Sequence, residues 1–246
     1  MCFDPGNGGL CFAVAGKGQV TDGGDNKAGY PFRSEHRFAA FNLIQIHYMT
    51  NEPTMTRDLA QSGPVDGNSK ARLRKNLLEA RAHLDAGTRA HWDRAIGAHI
   101  VAWWQGIRAP LLAVYWPLQG EPELSAAYCA LRKLGVKLAL PVVLKKDAPL
   151  VFASWEPGEA MATDGMGVAV PARLCQVQPP AILIPCLGFN AQRFRLGYGG
   201  GFYDRTLATT PRPATVGVAY ACMAAQFDSD SHDIALDKIA TEVGFM

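Results

Sequence analysis

No apolar run in this sequence approaches the ~20 residues that a membrane-spanning helix requires. No C-x-x-C pair occurs among its six cysteines, Cys2, Cys11, Cys129, Cys175, Cys186 and Cys222. Their scatter argues against a zinc ribbon or a disulfide framework and favours reduced thiols in a cytosolic protein. The N-terminus lacks a basic start followed by an apolar core, so no secretory signal is read. Charge is sparse, at 19% of residues, and the formal net charge is only +2. A weak overall field argues for neither nucleic acid nor membrane surface, so any basic site must be local. There is no internal repeat and no recognisable nucleophile–base pair.

What is abundant is glycine, 25 residues in 246. Four of the first seven residues in Arg195-Leu196-Gly197-Tyr198-Gly199-Gly200-Gly201-Phe202-Tyr203-Asp204-Arg205 are glycine. The apolar run Ala181–Pro185 before them reads as a buried strand, and Phe202 onward can begin a helix. That order points main-chain N–H groups at a phosphate. The loop is not a Walker A loop, because Gly-Lys-Ser/Thr is missing. It is not the dinucleotide fingerprint, because Phe202 takes the third glycine position. The same glycines would also serve a tight structural turn. Arg195 and Arg205 favour phosphate, which guanidinium groups pair with well. Asp204 suits Mg²⁺, a hard ion, or simply the start of a helix.

Residues 1–68 read as a poorly structured extension, rich in glycine and polar residues. Met49 or Met55 as the true start is one expectation for this segment. Residues 69–246 read as one α/β domain. Leu73, Leu77, Leu78 and Leu84 recur on one helical face, with Lys70, Arg72, Arg74, Lys75 and Arg81 around it. Gly87-Thr88 is expected to break that helix, with Thr88 capping the next. Trp92, Ile96, Ile100 and Trp103 or Trp104 form the core stripe of a second helix. Strands are expected at 111–116, 136–140 (stopped by Pro141), 150–154, 181–185 and 215–220, with a helix at 123–134. Residues 156–172 read as irregular and 228–246 as an acidic tail. Short strand–helix–strand connections imply a mainly parallel sheet flanked by helices, a Rossmann-like three-layer domain. Ligands of such sheets sit beyond the strands' carboxyl ends. Cys186 is expected to be a small buried residue, and His232 incidental.

Leu187-Gly188-Phe189 followed by residues 195–205 resembles the signature of the 5-formyltetrahydrofolate cyclo-ligase family, also called methenyltetrahydrofolate synthetases. Lys70-Ala71-Arg72-Leu73-Arg74 resembles the family's opening helix, and Tyr115–Glu121 its strand and folate-side glutamate. Asp233 and Thr241-Glu242 resemble its closing segment. The similarity spans about residues 70–244. It implies an ATP- and Mg²⁺-dependent enzyme that converts 5-formyltetrahydrofolate to 5,10-methenyltetrahydrofolate. It further implies catalytic roles for Arg195 and Lys70. ATP would meet residues 70–74 (Lys70, Ala71, Arg72, Leu73, Arg74) and 195–203 (Arg195, Leu196, Gly197, Tyr198, Gly199, Gly200, Gly201, Phe202, Tyr203). The folate would meet Trp116, Glu121, Tyr198, Gly199, Gly200, Gly201 and Phe202, and Mg²⁺ would meet Asp204 and Asp233. Three residues depart from the pattern: Asn190 for aspartate, Phe194 for glycine and Phe202 for tyrosine. A glycine at 194 could have served a positive φ, so loop geometry is where a difference is expected. A cytoplasmic monomer acting on small molecules, with no nucleic-acid or membrane partner, is the resulting expectation. A non-catalytic folate- or nucleotide-binding protein on the same scaffold is the alternative, and a nucleic-acid binder using the basic first helix is a third.

Overall fold

The computed structural model describes residues 67–246. The expectations for residues 1–66, including the alternative starts at Met49 and Met55, lie outside the described residues. Among the described residues no helix is long and apolar enough to cross a membrane.

Helix α1 (Gly67–Ala82) ends two residues earlier than the leucine pattern suggests, leaving Leu84 in the connection that follows. Helix α2 (Ala86–Ile107) is capped by Asp85, whose carboxylate accepts the Thr88 N–H. Gly87 and Thr88 therefore lie inside the first turn of α2 rather than breaking and capping it. The cap wins because an aspartate before an N-terminal turn satisfies a donor that the helix leaves open. The Trp92 stripe faces inward as expected: Ile96 and Ile100 are fully buried, and Trp92 packs on the Tyr220 ring.

After α2 come β1 (Leu111–Ala113), α3 (Ser125–Lys133), β2 (Lys137–Val142) and β3 (Val151–Trp155). Gly135, at φ 87, ends α3 in the left-handed conformation expected of a helix-terminal glycine. A hairpin of β4 (Met161–Thr163) and β5 (Ala169–Pro171) follows, then β6 (Gln176–Val177) and β7 (Ala181–Pro185). The hairpin replaces the irregular stretch expected at 156–172. Asp164 organises its turn, accepting N–H groups from Met166 and Val168. A second hairpin, β8 (Gly188–Phe189) and β9 (Arg195–Leu196), stands between β7 and the glycine loop. The chain closes with α4 (Phe202–Leu207), β10 (Ala214–Val218), a short 3₁₀ turn, β11 (Lys238–Thr241) and β12 (Gly244–Phe245). The last two strands correct the expectation of an irregular acidic tail.

Eight strands form one sheet in the order β12-β11-β10-β7-β1-β2-β3-β6. The five from β11 to β2 are parallel, and antiparallel strands extend both edges. Ala181, Ile182, Leu183 and Ile184 are all buried although successive residues face opposite sides. The centre of the sheet is thus covered on both faces, as the parallel core of a three-layer α/β fold must be.

The connections run to opposite sides of the central strands. From β1 the chain crosses through α3 to β2, whereas from β7 it crosses through α4 to β10. A crevice opens at such a switch point, beyond the strands' carboxyl ends. Two prolines line it. Pro141 lies inside β2, paired with Phe152, and does not stop the strand. Its neighbour Ala139 offers its carbonyl to Val114 on the β1 side, so the N–H that Pro141 lacks would face the same side. There β1 has already ended, so no ladder bond is lost. Pro185 does the same from β7, because Cys186 directs its N–H to β10 instead.

Candidate active site

A cavity of about 500 Å³ occupies this switch point. Fifteen of the residues singled out from the sequence line it: Lys70, Arg74, Trp116, Glu121, the run 195–203, Asp204 and Asp233. Ala71 and Arg72 are exposed and outside the lining, and Leu73 packs against the core. The reason is helical geometry: residues four apart share a face, so Lys70 and Arg74 enter together while the three between them turn away.

The glycine loop is held from behind by arginines. Arg74 Nε donates to the Gly197 carbonyl at 2.8 Å, and Arg205 donates to the Gly200 carbonyl. In a trans peptide the N–H points opposite to the carbonyl, so the N–H groups of Tyr198 and Gly201 are turned away from those arginines. No acceptor among the described residues takes the N–H of Gly199, Gly200 or Gly201. Gly199 and Gly201 hold φ values of 93 and 63, which L-side chains seldom adopt. The result is a run of main-chain donors backed by cations.

Both carboxylates assigned to metal are already paired. Arg195 grips Asp204 in bidentate fashion, at 2.8 and 2.7 Å, with side chains only 6% and 17% exposed. Lys70 Nζ lies 3.0 Å from Asp233 and 2.7 Å from Asp230. Burial lowers the Lys70 pKa, but the two aspartates outweigh it and hold the ammonium above the usual lysine value. Asp233 is therefore not a solvated tail residue. The Ile234 N–H reaches Asp204 at 3.3 Å, so the closing segment and the glycine loop meet here.

At the other end Glu121 is 4% exposed and accepts the Leu118 N–H on one oxygen and the Tyr198 hydroxyl on the other, at 2.9 and 2.8 Å. Desolvation pushes its pKa above the ordinary glutamate value, against these two donors and the nearby Arg81. Trp116, half-exposed, stands edge-on to Trp155 and offers an aromatic wall.

The departures at 190 and 194 are accommodated. The positive φ falls on Arg193, at 63, and not on Phe194. Asn190 accepts N–H groups from Gln192 and Phe194, and its amide donates to the Phe227 carbonyl. An aspartate could make the first two bonds but not the third. Phe202 keeps a place in the cavity lining, under the Arg205 guanidinium.

Sequence reasoning missed Asp230, Tyr115 and the hairpin residues Asp164 and Met166, which also line the cavity. Asp164-Gly165 between two short apolar runs was a hairpin signal. Nothing local announced Asp230. Arg81, read only as one of the basic residues around the leucine face, is 1% exposed.

The profile of the 5-formyltetrahydrofolate cyclo-ligase family matches residues 66–242. The chain belongs to that family. Its match to the 5-formyltetrahydrofolate cyclo-ligase of Mycoplasma pneumoniae is 27% identical over 176 residues, covering 70% of this chain and 98% of the relative. The match to the cyclo-ligase of Mycolicibacterium smegmatis is 29% identical over 186 residues, covering 70% and 93%. Among solved structures, the 5,10-methenyltetrahydrofolate synthetase of Mycoplasma pneumoniae superposes with a TM-score of 0.59 at 26% identity, over 70% of this chain and 98% of that one. The Aquifex aeolicus 5,10-methenyltetrahydrofolate synthetase gives 0.62 at 26% identity, over 72% and 91%. Membership in the cyclo-ligase family makes this chain a ligase of folate metabolism.

Proposed function

We propose that the chain catalyses ATP- and Mg²⁺-dependent ring closure of 5-formyltetrahydrofolate to 5,10-methenyltetrahydrofolate, releasing ADP and phosphate. The observation that carries this reading is the glycine loop, whose unpaired main-chain donors share a cavity with Lys70, Arg74 and Arg195.

An N-formyl group is an amide whose oxygen leaves poorly. Its oxygen attacks the γ-phosphorus, the bond to ADP breaks, and an O-phosphorylated iminium forms in which the carbon stays bonded to N5. The N10 lone pair then attacks the activated carbon. The carbon–oxygen bond breaks, phosphate departs with that oxygen, and N10 loses its proton to give the methenyl cation. Such chemistry asks for positioning and charge neutralisation rather than a covalent nucleophile. The donors at Gly199–Gly201 would bind phosphate oxygens, Arg195 and Lys70 would neutralise charge developing at the γ-phosphate, and Arg74 would hold the loop in shape. Glu121 would accept hydrogen bonds from the pterin, with Trp116 packed on the folate.

Among the described residues no group of three or more His, Cys, Asp or Glu could cage a metal ion. The donor set fits Mg²⁺ carried in by the nucleotide, which keeps water and phosphate oxygens and takes only one or two carboxylates. Asp204 and Asp233 would hold it, and when bound it would offset the triphosphate's charge. The reading takes the chain as a monomer in the cytoplasm, with the whole lining supplied by one copy.

Formation of methenyltetrahydrofolate is followed by its absorbance. Purified protein is expected to produce it only when 5-formyltetrahydrofolate, ATP and Mg²⁺ are all present, with one ADP per product. Well-folded protein that binds both substrates without turnover would favour a binding module on the same scaffold.

A further inference from the structure

Arg81 is a fully buried charge that lies outside the cavity lining. An arginine stays protonated at any pH of interest, so burying one is costly unless its donors are used. From the last turn of α1 it reaches two segments that both line the cavity. Its Nε donates to the Gln119 carbonyl at 3.1 Å, and its Nη2 donates to the Tyr198 hydroxyl oxygen at 2.6 Å. Nη1 is left without a partner among the described residues.

The first contact pins an unusual turn. Gln119 and Gly120 are both left-handed, with φ of 48 and 77. For Gln119 that conformation is disfavoured and needs outside support. A Cβ at Gly120 would meet Arg89 Nη1 at 3.3 Å and Arg81 Cγ at 3.9 Å, so two arginines close the turn from behind. Glu121 is the next residue, and its direction follows from the turn.

The second contact sets a proton. A phenol has one hydrogen. Because the Tyr198 oxygen receives the Arg81 N–H, its own hydrogen is directed to Glu121, 2.8 Å away. The Arg81 charge also favours the ionised form of Glu121. The other titratable groups that sense Glu121 are Tyr115, Tyr128, Tyr203 and Cys186. Burial holds each above its usual value, Cys186 at about 12, so all four are neutral near pH 7.

We propose that Arg81 is a positioning residue that aims Glu121 and Tyr198 at the folate from behind, by bracing the Gln119-Gly120 turn and orienting the Tyr198 hydroxyl. This rests on the folate reading of Glu121. Loss of Arg81 removes a donor from the Gln119 carbonyl and one from the Tyr198 hydroxyl, together with a positive charge that favours the ionised carboxylate. Folate affinity falls while the nucleotide end, held by Arg74 and Arg205, is untouched.

The test compares Arg81→Met, Arg81→Lys and Tyr198→Phe with wild type in steady-state kinetics against each substrate across pH. Arg81→Met is expected to raise the folate KM about ten- to a hundredfold, the scale of a lost charge-assisted bond, with the ATP KM within about twofold. The acidic limb of kcat/KM for folate moves to higher pH. Arg81→Lys, which keeps a charge but lacks the rigid planar fork that spans the two acceptors, recovers part of the loss. Arg81→Lys/Tyr198→Phe shows less than the sum of the single effects, because both act on Glu121. Should Arg81→Met not fold, the Arg81→Lys and Tyr198→Phe pair gives the same comparison. Equal rises in both KM values, an unmoved acidic limb, or additive effects in folded variants would overturn the proposal. If wild type itself fails to turn over the folate, the function fails rather than the role of Arg81.

Discussion

Arg195→Ala is expected to lower kcat/KM about 10²–10³-fold, the scale of losing one preorganised donor at a developing charge. The side chain does two things at once. It presents a guanidinium to the cavity beside the glycine loop, and it neutralises Asp204 through two bonds in a nearly buried setting. Its guanidinium also lies over the Tyr203 ring, 5.4 Å from the centroid. Truncation therefore strands a carboxylate that, among the described residues, keeps the Ile234 N–H at 3.3 Å. Breaking one side of a buried pair costs on the order of 3 kcal/mol, less where solvent still reaches it. Stability and catalysis can be separated by adding Asp204→Asn. The double variant should regain most of the melting temperature, because no charge is stranded, yet recover none of the turnover. Thermal unfolding and steady-state kinetics on the three proteins give both answers. Wild-type turnover in Arg195→Ala would remove this residue from the site.

Glu121→Ala is expected to raise the folate KM about a hundredfold and leave the ATP KM nearly unchanged, since a lost bond to a charged group that leaves its partners unpaired carries that scale. Leu118 N–H and the Tyr198 hydroxyl lose their acceptor along with the pterin. The pH dependence follows from the direction of the Glu121 shift. Desolvation raises its pKa, and the ionised form is the acceptor. In wild type, kcat/KM for folate should be flat at neutral pH and fall as pH drops through a value above the ordinary 4.5. The stability linkage runs the other way. A carboxyl with a raised folded pKa favours folding most below its unfolded pKa, and that contribution is lost as pH rises through the folded one. Neutral pH is thus where Glu121 serves catalysis and stabilises the fold least. Rate profiles of wild type and Glu121→Ala against pH check this, and an acidic limb that survives in Glu121→Ala would assign it to another group.

The parallel core was legible in the sequence because its strands are short continuous apolar runs between helical patterns. Ala181–Pro185 and the 136–140 segment have no reading other than buried strand once the flanking helices are placed. What escaped was local chemistry overridden by tertiary context. Pro141 looks like a strand terminator until β1 is seen to end beside it. Lys238–Thr241 follows an acidic stretch and gains its strand only by pairing with β10. In the site, Lys70 and Arg74 were found through the family resemblance, which took the whole run 70–74; helical spacing, with residues four apart on one face, should have set aside Ala71, Arg72 and Leu73. Arg81 obeys it too, seven residues beyond Arg74 on the same helix. Nothing in the sequence singled it out, and only the packing of the Gln119-Gly120 turn shows why it is inside.

The whole account turns on where a triphosphate sits. A crystal structure with Mg²⁺ and a non-hydrolysable ATP analogue measures that directly. Phosphate oxygens should lie within hydrogen-bond distance of the main-chain nitrogens of Gly199–Gly201, with Lys70 or Arg195 turned from its aspartate toward them. A nucleotide bound elsewhere, with those amides still facing empty solvent, would contradict it.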